Sequence, residues 1–198
     1  SFVDSQLGRA APVIAHQNVL YQLIARPGAH DSAWALPSEV FTRPQYDFYM
    51  NGQGVEVITE PAAHSNGDSV VRFPVSDVVV TGALFDDSRF PVIDLKHGGS
   101  IQGEIDALNE LLNREVNTST PTVLEGVGTL VIPMRGPLCN QADLVTYRDM
   151  VTTVRIRVQH LIDQGDSLER VRAADPTQGC GSRWRSDAGD WTTKDFVE

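Results

Sequence analysis

The donors of a hydrolytic zinc centre are usually histidine or carboxylate, and the turn HSNGD carries one of each, His64 and Asp68. Two further words end runs of β-branched residues in short turns, DVVVTGALFDDSRF at 77–90 and TLVIPMRG at 129–136. Turns at strand ends are where α/β enzymes place a metal ligand or a general base. These turns offer Ala83 in the first and Met134 and Arg135 in the second. A methyl group binds no metal, and a guanidinium stays protonated and repels one. A hydrolytic zinc centre needs at least three protein donors and an open position where bound water is acidified.

The substitutes for missing donors are few. His16 follows a strand-like run, His30 lies in a proline-rich stretch, His97 stands in IDLKHGGS, and Asp86 and Asp87 follow the turn that carries Ala83. Each single histidine reads first as a surface or hydrogen-bonded structural residue, and His160 the more so because it falls within a long helical pattern. An adjacent carboxylate does not inherit a coordination geometry set to tenths of an ångström. The metal and catalytic assignments are therefore none.

Other chemistries find no footing. No G-x-S-x-G elbow occurs, Cys139 in GPLCNQ has no recognisable activating partner, and Cys139 and Cys180 lack C-x-x-C spacing. Neither G-x-G-x-x-G nor G-x-x-x-x-G-K-[ST] is present, which removes nucleotide binding. Sixteen Lys and Arg against 26 Asp and Glu give a net charge of -10, opposite in sign to a phosphate-binding surface, so no nucleic-acid partner is expected. No apolar run is long enough for a membrane span, and no basic and apolar leader opens the chain. The start at Ser1 and the stop at Glu198, inside a helix that Thr192 and Asp195 would cap, make both ends look cut. CGSRWRSDAGDW reads as a loop anchored by its tryptophans.

The elements that must position these residues follow from periodicity. APVIAH (11–16) fits a buried strand, and NVLYQLIA (18–25) shifts to helical spacing. Between Arg26 and Pro44, Pro27, Gly28, Pro37 and Pro44 interrupt regular structure and predict a long surface loop. YDFYM, VEVITE, SVVRF and DVVVTG are strands joined by NGQG, HSNGD and PVSD, an antiparallel meander. Ser100 caps a helix through about Arg114, with Ile101, Ile105, Leu108, Leu111 and Leu112 as its apolar stripe. TLVIP is the last clear strand. From Asn140 a long helix carries Leu144, Tyr147, Val151, Val154, Val158 and Leu161, with Asp143 in its first turn and Gly165 at C′. A shorter helix begins at Asp166 with Glu169 at N3. The order contains no repeat and no linker, so one α/β (α+β) domain over 1–198 is expected.

These local words resemble the C-terminal two-thirds of a metallo-β-lactamase-fold hydrolase. The family's A-H-T-x-G-D is matched by Ala63, His64, Ser65, Asn66, Gly67 and Asp68; its T-G-D, whose Asp bridges two metals, stands as Thr81, Gly82 and Ala83; its P-G-H-G stands as Pro133, Met134, Arg135 and Gly136. The H-x-H-x-D-H motif is absent, and SFVDSQLGRAA looks like the segment that follows it. The resemblance implies an incomplete αββα sandwich with a mainly antiparallel meander and flanking helices. His64 is the remnant of the metal site, and Ala83 and Arg135 are lost ligand positions.

Two functions follow from that resemblance. The first is a non-catalytic structural or interaction subunit without a cofactor, held in a larger assembly by other protein subunits that cover residues 1–16 and the 46–60 hairpin. The second is a zinc-dependent hydrolase of β-lactams, lactones or thioesters whose chain is incomplete or whose missing ligands come from a partner. Truncation explains a missing N-terminal motif but not two internal ligands replaced by methyl and guanidinium, which favours the first. In that reading Arg135 supplies fixed positive charge where metals would sit, in an anion or ion-pair site with His64 and Asp68; the alternative is a drifted exposed side chain. Compartment, and the redox state of the two cysteines, are not legible.

Overall fold

Alternating β-branched residues build a six-stranded sheet around four strands that follow one another in sequence. A computed structural model describes residues 3–4, 9–10, 12–26, 36–117, 128–186 and 190–197, with side chains from residue 12 onward and, in the helix after Ser100, as far as Arg114. β1 (Val3–Asp4) and β2 (Arg9–Ala10) form a small antiparallel pair, and β3 (Ile14–His16) leads into α1 (Gln17–Ile24). β4 (Glu39–Phe41) pairs parallel with β3. This strand corrects the expectation of an uninterrupted loop from Arg26 to Pro44: Pro37 and Pro44 bracket it instead of breaking it. The part of that loop at 27–35, with His30, lies outside the described residues.

β5 (Gln45–Met50) and β6 (Gln53–Thr59) turn through Asn51 and Gly52, whose φ values of 51° and 82° are those a tight right-twisted hairpin requires. β7 (Ser69–Phe73) and β8 (Val78–Val80) continue antiparallel, β9 (Leu130–Ile132) joins β8 in parallel, and β10 (Cys139–Asn140) closes that side antiparallel to β9. The strand order is β10-β9-β8-β7-β6-β5, so β5 is an edge. β10 is a strand the sequence reading omitted, since two residues carry no readable alternation.

Strand alternation and register divide the sheet into two faces. One carries Val70, Val79 and Val131 into a core with α2 (Ile101–Asn117) and α3 (Gln141–Asp163), where Ile105, Leu108, Leu111, Leu144, Tyr147, Val151 and Val154 are buried. The other carries the buried Val55 and, half-buried or exposed, Tyr46, Phe48, Val57, Val71, Val78, Val80 and Ile132. Its cover among the described residues includes β3 and β4, through an aromatic row in which Phe41 lies 5.3 Å from Tyr46 and 5.4 Å from His16.

Local chemistry fixes the helix ends. Ser100 Oγ accepts the Gly103 amide at 2.9 Å, and Asn140 and Asp143 form a reciprocal capping box at α3. α3 ends in a Schellman arrangement: Gly165, at φ 80°, donates to Ile162 O and Asp166 donates to Leu161 O. Because the Asp166 amide closes α3, α4 (Leu168–Ala173) starts from Ser167, one residue later than expected. α5 (Thr193–Val197) is capped as predicted, with Thr192 N donating to Asp195 at 2.7 Å.

Candidate functional site

The turn from Ala63 to Asp68 organises itself around its own carboxylate. Asp68 accepts the Ser65 amide at 2.5 Å and lies 3.3 Å from Ser65 Oγ, which in turn accepts the Gly67 amide at 3.1 Å. Burial pushes the Asp68 carboxyl up, against these hydrogen bonds and the nearby His64. The His64 ring sets Nδ1 at 2.6 Å from the carbonyl oxygen of Val92, and its backbone carbonyl accepts the Asp94 amide at 2.8 Å. With Nδ1–H donating to a carbonyl, Nε2 keeps its lone pair, the second-shell orientation that a metal-binding imidazole has.

The other two turns lie against each other. Thr81 donates from its amide, at 3.1 Å, and its hydroxyl, at 3.2 Å, to the Ile132 carbonyl; Met134 donates to Phe85 O at 2.8 Å, and Asp87 to Arg135 O at 3.1 Å. Gly136, at φ 110°, holds a conformation that side chains rarely adopt, and a Cβ there would sit tightly, 3.0 Å from that of Asp87. The positions of Ala83 and Arg135 therefore belong to one pair of hydrogen-bonded turns. Ala83 lies in a 3-10 turn, Gly82–Leu84, and presents only its methyl group.

The expected ion pair of Arg135 does not form: its side chain is exposed and makes no ion pair or hydrogen bond among the described residues. Only its carbonyl is engaged, because the hydrogen bond to Asp87 holds the backbone and leaves the side chain directed by solvent. The cation at these turns is Arg183. Its Nη2 stands 3.2 Å from Oδ1 of the buried Asp87, off the hydrogen-bonding direction, so the attraction is electrostatic. Its guanidinium also lies 4.5 Å over the ring of Trp184. Burial raises the Asp87 carboxyl and Arg183 opposes that rise. Asp86 is occupied by Ser88 and by Arg89, whose Nε is 2.9 Å away.

The remaining candidates are absorbed by local structure. His16 caps α1 by accepting the Asn18 amide, His97 pairs its Nδ1 with Asp94 at 2.5 Å, and His160 meets Gln164 at the end of α3. Burial acts to raise Asp94, but the hydrogen bonds from His97 outweigh it and hold this carboxyl low. Cys139 is buried and its thiol pushed up to about 11 by burial and by Asp87 and Asp143, the opposite of an activated nucleophile. Among the described residues no three His, Cys, Asp or Glu side chains are grouped to hold a metal ion, so this donor set does not fit zinc.

Two acids escaped the sequence reading. Glu104 is fully buried, with both carboxyl oxygens lacking a hydrogen-bond partner among the described residues, and Glu60 is buried beside it. Burial, then Asp68 and Glu60, raises Glu104 well above the usual carboxyl range; burial, then Glu110, raises Glu60 to about 8. The signal was available, since Glu104 is one turn before Leu108 on the stripe of Ile101 and Ile105.

No family model and no curated protein matches this sequence. Solved structures do. A metallo-β-lactamase from Pontibacter korlensis superposes with a TM-score of 0.54 at 19% identity, over 72% of this chain and 58% of that one. The chain has a metallo-β-lactamase-like fold. The metallo-β-lactamase DIM-1 superposes with a TM-score of 0.53 at 16% identity, over 72% of this chain and 58% of that one, and the stereoselective inverting sec-alkylsulfatase Pisa1 from Pseudomonas sp. with 0.56 at 13%, over 69% and 21%. This metallo-β-lactamase-like chain thus spans little more than half the length of the lactamases and about a fifth of the alkylsulfatase. Identities this low carry the mixed α/β fold and its mainly antiparallel sheet, not an activity.

Proposed function

We propose that this chain is a non-catalytic structural or interaction subunit that keeps a metallo-β-lactamase-like fold after losing its metal ligands. The observation that carries the reading is the pair of turns at 81–87 and 132–136: their backbone hydrogen bonds are intact, yet they present Ala83 and Arg135, and their buried acid Asp87 is balanced by Arg183. A site whose acid already has an organic counter-charge gains less from a cation. The half-uncovered sheet face around Val71, Val80 and Ile132 supports the interaction role, because an apolar face of that kind favours burial against another layer. The edge at β5, unpaired on its outer side among the described residues and with Tyr49 75% exposed, supports it further.

The second reading is a zinc-dependent hydrolase whose chain is incomplete or whose missing ligands come from a partner, and the His64 to Val92 hydrogen bond favours it. Hydrolysis of a chromogenic β-lactam and of a lactone, with and without added zinc, separates the two. Rates at background under both conditions support the structural role, whereas a rate abolished by chelator and restored by zinc assigns the hydrolase.

A further inference from the structure

β5 ends the sheet with a row of unused hydrogen-bonding groups. Its register on β6, with Met50 opposite Gln53 across the tight turn and Thr59 N donating to Pro44 O at 2.8 Å, turns the even-numbered residues of β5 toward β6. The N–H and C=O groups of Gln45, Asp47 and Tyr49 therefore point outward, and among the described residues they meet no partner. No proline or bulge interrupts the strand, so the edge is open to a further one.

Charge decides which strand fits. Asp47 is the one charged residue of β5, and it receives only the neutral Gln45 amide, at 2.8 Å. Gln45 also lines a cleft of about 680 Å³ between this end of the sheet and the polar side of α2. There Arg72 and Arg114 are taken up by Glu56 and Glu110, at 3.1 and 2.6 Å, which leaves Asp106 with only the Gln102 amide, at 2.8 Å. Arg43 and Glu39, beside the start of β5, add one charge of each sign. The helix-facing side of the edge thus carries two carboxylates without a cationic partner among the described residues, whereas the opposite side offers Tyr46, Phe48 and Met50.

We propose that β5 takes up, as an additional antiparallel strand, an extended segment of a partner protein that alternates lysine or arginine with apolar residues. Residues opposite Gln45, Asp47 and Tyr49 share their face, so basic side chains stand beside Asp47 and the mouth of the cleft, and the apolar residues between them continue the row of Tyr46 and Phe48. A second copy of this chain supplies no such complement: its own β5 brings another Asp47, and two chains of net charge -10 repel. The inference rests on the interaction role proposed above and needs nothing from the metal site.

Capped hexapeptides titrated into the chain by calorimetry test this. Alternating Lys-Val is expected to bind saturably, one to one, and about tenfold or more tighter than alternating Glu-Val. N-methylation of the lysine amides, which face β5, is expected to abolish that binding, and N-methylation of the valine amides, which face away, to change it less than about threefold. Tyr49→Pro removes an outward N–H without touching the backbone bonds to β6 and is expected to abolish binding; Asp47→Asn is expected to weaken it about threefold. No saturable binding, equal affinity for Glu-Val, or equal effects of the two methylations would each overturn the proposal. A dimer in sedimentation that Tyr49→Pro dissociates, with no peptide bound, would overturn it by assigning the edge to a second copy. The peptide comparisons need only the unsubstituted chain, and their failure would leave the zinc and hydrolysis tests of the degenerate site untouched.

Discussion

Arg183 Nη2 lies 3.2 Å from the buried carboxylate of Asp87, while Arg135, on the turn whose carbonyl holds the Asp87 amide, leaves its own guanidinium in solvent. Loss of one partner of a buried pair costs about 3–5 kcal/mol, but the Arg183 side chain is 43% exposed and therefore screened. Arg183→Ala is expected to lower stability in denaturant unfolding by about 1–2 kcal/mol, and Arg135→Ala by less than about 0.5 kcal/mol. Equal losses would mean that Arg135 shares the charge of Asp87 after all.

The buried acids set a pH dependence. A carboxyl raised in the folded state contributes stability that is full below its unfolded value and is lost as pH rises through the folded one. For Glu60 that window runs from 4.5 to about 8, and Glu104 extends it upward. Stability should therefore fall from about pH 5.5 to 7.5, by up to about 1.4 kcal/mol per pH unit for each such carboxyl. Asp94, Asp175 and Asp195, held low by their hydrogen bonds, act below this window. Glu104→Gln should flatten the slope and stabilise the protein at the upper end; an unchanged slope in urea unfolding would place the protons elsewhere.

Close backbone contacts at α2 give a steric test. A Cβ on Gly103 would lie 1.8 Å from Ala62 O, and one on Gly99 2.0 Å from His64 O, whereas Gly54 has nothing within 4 Å. Backbone cannot yield as a flexible side chain can, so Gly103→Ala and Gly99→Ala should each cost about 3 kcal/mol or more, and Gly54→Ala less than about 1 kcal/mol, by thermal unfolding. A Gly103→Ala variant as stable as Gly54→Ala would show that α2 can move off residues 62–64.

What the sequence made legible was what repeats or caps. The meander from β5 to β8 was readable because alternating Val and Ile run between turns such as Asn51–Gly52, and α3 because Asn140, Asp143 and Gly165 mark its ends. β4 was hidden by flanking prolines, and β10 by its length. Within the site, residue types at Ala83 and Arg135 could be read directly, but the partner of Asp87 could not. Arg183 is nearly a hundred residues away and reaches Asp87 only through tertiary packing. The burial of Glu104 was visible as an acid within an apolar stripe, yet its pairing with Glu60 and Asp68 depends on how α2 meets β6 and the turn after it.

The proposed loss of metal binding is tested most directly by zinc content after equilibration against buffered zinc and removal of free metal. Less than about a tenth of an equivalent is the expected result, unchanged in Ala83→Asp/Arg135→His because two restored donors still lack the first metal motif. One equivalent or more of zinc retained by the unsubstituted chain, and lost on His64→Ala, would contradict a degenerate site.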